Sequence, residues 1–390
     1  MRQYQIVVLG DDGVEASSFR SQLSARFVDL QIDLTLLRFF TEADMAALDL
    51  RAPMIGVYFA LTAPPELTKP SLLEFLSDGQ LVVPVVHDLE KFNEFVPAAL
   101  RSINGYQLDP SDIEMVRLCD VVLENLSLLR RSRRIFISYR RLESQRVAIH
   151  LYEELDRRTF DVFLDTHSIR PGEPFQEVLW HRLADTDVMV LLDSPGFLDS
   201  RWTEEELARA NSTSLQILQV VWPDHPQKAQ TSFNQTYQLS ADEFVDPAVT
   251  LGVDARLVDA AAEAIALEAE SLRARALAAR RAYLVQEMFR EAAAVGADIS
   301  AQPGRYLKLE TPDGARAIIV PTVGVPDALR YQEIEEDIAD EGITDLMLVY
   351  DERGVRDRWL KHLSWLDPHM KVRSLPIGKV GAWMARRCKP

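Results

Sequence analysis

Cysteine is nearly absent from this chain of 390 residues, with only Cys119 and Cys388 present. Two thiols cannot build a disulfide framework, nor a zinc site by themselves, and their scarcity fits a reducing compartment. Long apolar runs are missing as well. No stretch approaches the roughly 18 consecutive apolar residues of a membrane span, and the opening MRQYQIVVLGDDG lacks the apolar middle of a signal peptide. Positive charge is in short supply: 43 Lys and Arg face 60 Asp and Glu, a net charge of -17. That balance argues against nucleic acid or an anionic membrane surface as the main partner, while leaving room for a local basic patch. LGDDG has neither the G-x-G-x-x-G spacing nor the Walker A form of phosphate-binding loops. Histidine is sparse too, and His150, His167 and His181 lack metal-ligand spacing. The expectation is a cytoplasmic protein with no metal, no cofactor and no membrane segment.

A chain of this length suits two or three domains, and three regions separate. In residues 1–130, the short Val- and Ile-rich runs YQIVVLG, PMIGVYFAL and QLVVPVVHD alternate with amphipathic stretches. This is the pattern of a parallel sheet covered by helices. Residues 131–250 repeat the rhythm: IFISY, FDVFLD, VMVLLD and LQILQVV are strand candidates, with helix-like spacers between them. Residues 251–390 open with an Ala/Glu/Arg/Leu-rich stretch, 254–296, that predicts one long helix or two with a break. RYLKLET, ARAIIVPT and DLMLVYD then read as strands, with YQEIEEDIADEG as a helix. The chain as a whole is expected to be α/β.

The middle region resembles the TIR (Toll/interleukin-1 receptor) domain, a flavodoxin-like fold with a parallel sheet. RRIFISYRR is similar to the family's first strand, and VFLDTHSIRPGEPF to its second strand and following loop. VMVLLDSPGFLDSRW resembles its third strand, Ser-Pro turn and the Ser-x-Trp that opens the next helix. Each motif alone is weak, but their order and spacing make the match specific. The family contains scaffolds that only assemble and enzymes that cleave NAD⁺. The enzymes carry a glutamate four residues after that tryptophan, which here is Glu206 after Trp202. FISYRR and WPDHPQ resemble the animal axon-degeneration enzymes of the same branch.

The resemblance thus implies a bacterial NADase-type protein with NAD⁺ as substrate, TIR–TIR self-association and an unidentified trigger. It places the activity in antiphage defence. The flanking domains, a non-catalytic N-terminal module and a C-terminal long helix with a small α/β unit, would sense that trigger or hold the oligomer. A non-enzymatic adaptor acting through TIR–TIR assembly is the rival. A nucleoside-processing enzyme of similar fold is a second.

Residue chemistry separates the three glutamates of TEEE. On a helix, Trp202 and Glu206 share a face at i, i+4, whereas Glu204 and Glu205 point elsewhere. An indole beside a carboxylate suits nicotinamide and its ribose, because cleaving that bond develops oxocarbenium character. Nicotinamide leaves NAD⁺ as a neutral group, so one carboxylate can suffice. The competing reading is a capping box, with Thr203 as N-cap and Glu206 reaching back. Trp202 either contacts ligand or anchors the helix.

Arg140 and Arg141 follow the first strand at the sheet edge where open α/β folds bind ligands, and either hold a pyrophosphate or remain a solvated pair. Asp165 ends the second strand, in a substrate-binding or loop-capping role. Trp222 follows the fourth strand and lines either the pocket or the core. The turn-forming segment Ile169–Phe175 corresponds to the loop that mediates assembly and gates the pocket in the family.

Two further readings concern the ends of the chain. VLGDDG resembles the acidic pair of a receiver domain, but PMIGVYFAL lacks the aspartate such a domain needs there. VVPVVHDLEKFNEFVPAAL resembles the late part of a TIR domain, compatible with a degenerate copy. Near the C-terminus, Val355, Trp359, Leu363 and Leu366 predict an apolar helical stripe flanked by Arg353, Arg356 and Arg358. That helix either packs on its own sheet or presents a docking surface for an anionic ligand.

Overall fold

The computed structural model describes residues 3–387 except 31, 50–51, 62–74, 77–79, 110–114, 127, 131, 165–174, 198–214, 226–234, 303–305, 312–313, 315 and 339–344. The side chains of 175–177 and 337 are also outside the description. The chain divides into two compact units, Met1–Arg131 and Ser132–Pro390.

The first unit is a five-stranded parallel sheet in the order β2-β1-β3-β4-β5. Its strands are β1 (Tyr4–Gly10), β2 (Leu37–Thr41), β3 (Met54–Phe59), β4 (Val82–Val86) and β5 (Tyr106–Gln107). Helices α1 (Val14–Asp29) and α2 (Val116–Asn125) bring Phe19, Leu23, Phe27, Leu118 and Val122 into the core. The strands at the centre read as unbroken apolar runs because both faces are covered.

Gly10 ends β1 at φ +78°, where a Cβ would lie 2.2 Å from the Phe59 carbonyl oxygen. That oxygen already accepts the Asp11 N–H at 2.8 Å. Neither the left-handed backbone nor the clash can be relieved by a side-chain shift. Gly10→Ala is therefore expected to cost about 2–3 kcal/mol, read as a lower denaturant midpoint for this unit with an unchanged slope.

The second unit holds two sheets. The first runs β10-β9-β8-β6-β7, all parallel. Its strands are β6 (Arg134–Ser138), β7 (Asp161–Leu164), β8 (Val188–Asp193), β9 (Gln216–Val221) and β10 (Gln235–Gln238). In sequence terms this is the order 2-1-3-4-5, that of flavodoxin-like folds. Helix α3 (Arg141–Arg157) follows β6, and helix α4 (Phe175–Ala184) precedes β8.

Helix α5 (Asp259–Val295) is a single element of 37 residues, about 55 Å long at the usual rise. Its first half supplies Ala262, Ile265, Ala266, Ala269 and Leu272 to the core formed by Ile135, Val188, Val190, Leu218 and Val220. The alanines let the helix lie close against the sheet. Its second half packs Leu284, Met288 and Ala292 on the other sheet. The boundary expected near residue 250 thus falls inside one compact unit, because the helix that follows it completes the preceding core.

That other sheet has the order β11-β12-β13-β14-β15. Strands β11 (Asp298–Ala301), β12 (Leu307–Glu310) and β13 (Arg316–Pro321) are antiparallel. Strands β14 (Asp345–Tyr350) and β15 (Val372–Pro376) continue from β13 in parallel. Three helices accompany it: α6 (Ala328–Asp337), α7 (Asp357–Leu366) and α8 (Val380–Arg387). Val355 and Leu363 of the predicted stripe are buried in its core, with Trp359 packed against them. The apolar side of α7 therefore packs on its own sheet. Among the described residues no helix is long and apolar enough to cross a membrane.

Candidate functional site

Chain order reverses at β6, which pairs with β7 on one side and β8 on the other. In open parallel sheets the C-terminal edge at such a reversal leaves a crevice, because the two flanking connections leave on opposite faces. Here the crevice lies beyond the ends of β6 and β8, and the residues that follow those strands meet there.

Arg140 precedes the first turn of α3. Its Nη1 donates to Glu143 Oε1 at 2.6 Å. Glu143 Oε2 accepts the Gly196 backbone N–H at 3.0 Å, so one carboxylate joins the loops after β6 and β8. The Glu143 carbonyl also accepts the Gly252 N–H at 2.8 Å. A Cβ on Gly196 would fall 1.3 Å from Arg140 Nη1, so the guanidinium occupies the space that the missing side chain leaves.

Beneath these groups, Asp193 is 1% exposed at the end of β8. Its Oδ2 accepts Gln219 Nε2 at 2.7 Å, and its Oδ1 lies 3.5 Å from His225 Nε2. Among the described residues, Ser138 Oγ and Ser194 Oγ are buried without a hydrogen-bond partner. Buried polar groups and the Arg140–Glu143 ion pair thus gather at the end of a sheet that is otherwise apolar. On the neighbouring edge strand, the Tyr237 hydroxyl donates to Glu243 at 2.7 Å, and burial with that carboxylate raises its pKa above the usual phenol range.

The sequence candidates fall into three groups. Arg140 sits in the crevice, engaged with Glu143. Arg141 opens α3 and is exposed. Trp222 is 1% exposed; its indole Nε1–H donates to the Thr250 carbonyl at 2.7 Å and its ring packs 6.0 Å from Phe244. It fills the core under the crevice, because the apolar ring is enclosed and its single donor is satisfied inside. Glu206, Trp202 and Asp165 lie outside the described residues, as do 169–174 of the turn-forming loop.

Sequence reasoning passed over Glu143, Asp193, Gly196 and His225. Glu143 was detectable as the i+3 partner of Arg140, and Asp193 as the one polar end of an apolar run. His225 is brought in only by the fold. Among the described residues no group of three or more His, Cys, Asp or Glu is placed to hold a metal.

Residues 135–246 match the family model of the TIR domain, and this part of the chain is a TIR domain. It coincides with the sheet that carries the crevice. One curated relative, from Brachypodium distachyon and named probable 2′ cyclic ADP-D-ribose synthase BdTIR, is 30% identical over 93 residues. That alignment covers 24% of this chain and 42% of the relative, so the chain spans about two fifths of its length. A solved structure from Silicibacter pomeroyi DSS-3, described as a candidate phosphosugar isomerase, overlaps 73% of this chain and 86% of its own. At 10% identity and a TM-score of 0.20 this overlap has no weight for fold or function.

Proposed function

We propose that the chain is an NAD⁺ glycohydrolase whose TIR domain cleaves the nicotinamide–ribose bond. The observation that carries this reading is the TIR domain over 135–246, together with a relative named for making a cyclic ADP-ribose. The crevice geometry is consistent with it. NAD⁺ presents a pyrophosphate, and a guanidinium anchored by Glu143 presents donors in a fixed fork that suits phosphate oxygens.

Glu206 would hold the ribose hydroxyls and stabilise the positive charge that develops on the sugar as neutral nicotinamide departs. The product is linear or cyclic ADP-ribose. We place the activity in antiphage defence, with self-association of the TIR domains setting its level.

The test is direct. Purified full-length protein is incubated with NAD⁺ over a dilution series, and nicotinamide and both forms of ADP-ribose are separated by chromatography. Nicotinamide release that rises per protomer with concentration supports the proposal. No release at any concentration favours the adaptor reading.

Gly196 offers a finer probe. In Gly196→Ala the new methyl must displace the Arg140 guanidinium, releasing its contact with Glu143. KM for NAD⁺ is expected to rise about tenfold with little change in melting temperature, because the displaced group is the end of a flexible side chain. Unchanged KM would remove Arg140 from substrate binding.

A further inference from the structure

We propose that the groove between α4 and α7 is a nucleotide-binding site, distinct from the sheet-edge crevice. It is a cavity of about 590 Å³ lined by His181 of α4 and by Arg356, Arg358, Trp359, Lys361, His362 and Trp365 at and along α7. That size lies within the range of small-molecule sites.

Two features of the lining point to the ligand. The first is a continuous line of rings: His181–Trp359, Trp359–His362, His362–Trp365 and Trp365–His369 have centroids 5.6, 5.5, 6.0 and 5.6 Å apart. Trp365, at its outer part, is 64% exposed, with ring contacts to His362 and His369. The second is charge. Arg356, Arg358 and Lys361 all line the groove, no acidic residue does, and among the described residues none of the three makes an ion pair. Arg353, by contrast, is taken up by Asp351 at 2.6 Å and by the Tyr283 ring. In a chain of net charge -17, three unpaired cations gathered beside two indoles form a local exception.

A neutral aromatic ligand would not need the cations, and a bare anion would not need the rings. A heterocyclic base carrying phosphates uses both, the base stacking on an indole and the phosphates meeting the guanidinium and ammonium groups. The acidic chain disfavours a nucleic-acid polymer in the same place. Burial lowers the pKa of His181; the nearby Asp185 opposes that shift, and Arg182 and Arg356 add to it. The Arg356 backbone N–H reaches its Nδ1 at 3.5 Å, which ties the two helices together at the head of the groove.

The site does not depend on NAD⁺ cleavage, and its test reads binding alone. Full-length protein is titrated calorimetrically with ADP, GDP, adenosine and pyrophosphate. ADP or GDP is expected to bind at least about tenfold more tightly than adenosine or pyrophosphate. That affinity should fall roughly tenfold or more in Trp365→Ala and also in Arg358→Glu, and should persist in Arg140→Ala, which alters only the crevice. Both α7 residues are exposed, so both variants should keep the parent melting temperature. Absence of saturable diphosphate binding, binding unchanged in both α7 variants, or pyrophosphate binding as tight as ADP would overturn the proposal. So would saturable binding of a polyglutamate peptide without any response to ADP or GDP.

Discussion

Glu206→Gln is expected to remove NAD⁺ cleavage, lowering kcat by at least about 10²–10³-fold while the melting temperature stays unchanged. The two halves of this expectation have different physical origins. A capping box needs an acceptor at the third helical position, and glutamine supplies one, so the helix start that TEEE encodes survives the substitution. Catalysis needs the negative charge. Departure of nicotinamide leaves positive character on the ribose, and a neutral amide cannot stabilise it.

Glu204→Gln and Glu205→Gln are the internal controls, since neither stands four residues after Trp202 as Glu206 does. They should retain most of the activity. Equal losses in all three variants would mean that the acidic cluster serves the helix dipole and not the reaction. A stability loss confined to Glu206→Gln would mean that its role is capping.

The elements legible in the sequence were those whose residues are apolar in an unbroken run. β1 and β8 carry the bounds that YQIVVLG and VMVLLD predict, because strands buried on both faces are apolar nearly throughout, with the buried Gln5 of β1 as an exception. β10, with the sequence QTYQ, and the two-residue β5 are invisible to such reasoning. They are edge strands that borrow their conformation from a neighbour. β2 and β15 are also edges, with alternating or interrupted patterns. Arg140 could be placed at the crevice from its position after β6, but its partnership with Gly196 through Glu143 joins loops 53 residues apart and exists only in three dimensions. Helix α5 was legible as a helix and illegible as core. Its Ala, Glu and Arg content marks helix propensity and not burial, whereas Glu270 and Arg273 are fully enclosed. A charged residue type signals exposure unless its partner is known, and here the partners lie far away in sequence.

Those enclosed charges set up the largest stability effect expected in the second unit. Arg273 and Asp187 are both 0% exposed, and Arg273 Nε donates to Asp187 Oδ2 at 2.8 Å. One turn earlier, Glu270 meets Arg133 at 2.8 Å and Arg158 at 3.6 Å. Two turns later, Arg280 donates to the carbonyls of Thr186 and Ala184, at 2.6 Å each. The helix is thus pinned along the N-terminal edge of the TIR sheet by groups that have left water.

Arg273→Ala would leave the Asp187 carboxylate in a dry site without its guanidinium, at an expected cost of about 3–5 kcal/mol. The pair as a whole need not be stabilising. Replacing both residues with apolar ones, in Arg273→Met with Asp187→Leu, is expected to recover most of that loss. Arg290, 66% exposed on the same helix and paired with Glu287, is the natural control: Arg290→Ala should cost less than about 1 kcal/mol. Urea denaturation of the three variants, followed by a probe in the second unit, distinguishes the cases. Equal small losses for Arg273→Ala and Arg290→Ala would mean that water reaches Asp187. A large single loss reversed in the double variant would make desolvation, and not attraction, the dominant energy along this edge. It would also explain why a chain cut near residue 250 should fail to fold: the cut would strip the sheet of its apolar cover and of every cation that α5 places against Asp187 and the 184–186 carbonyls.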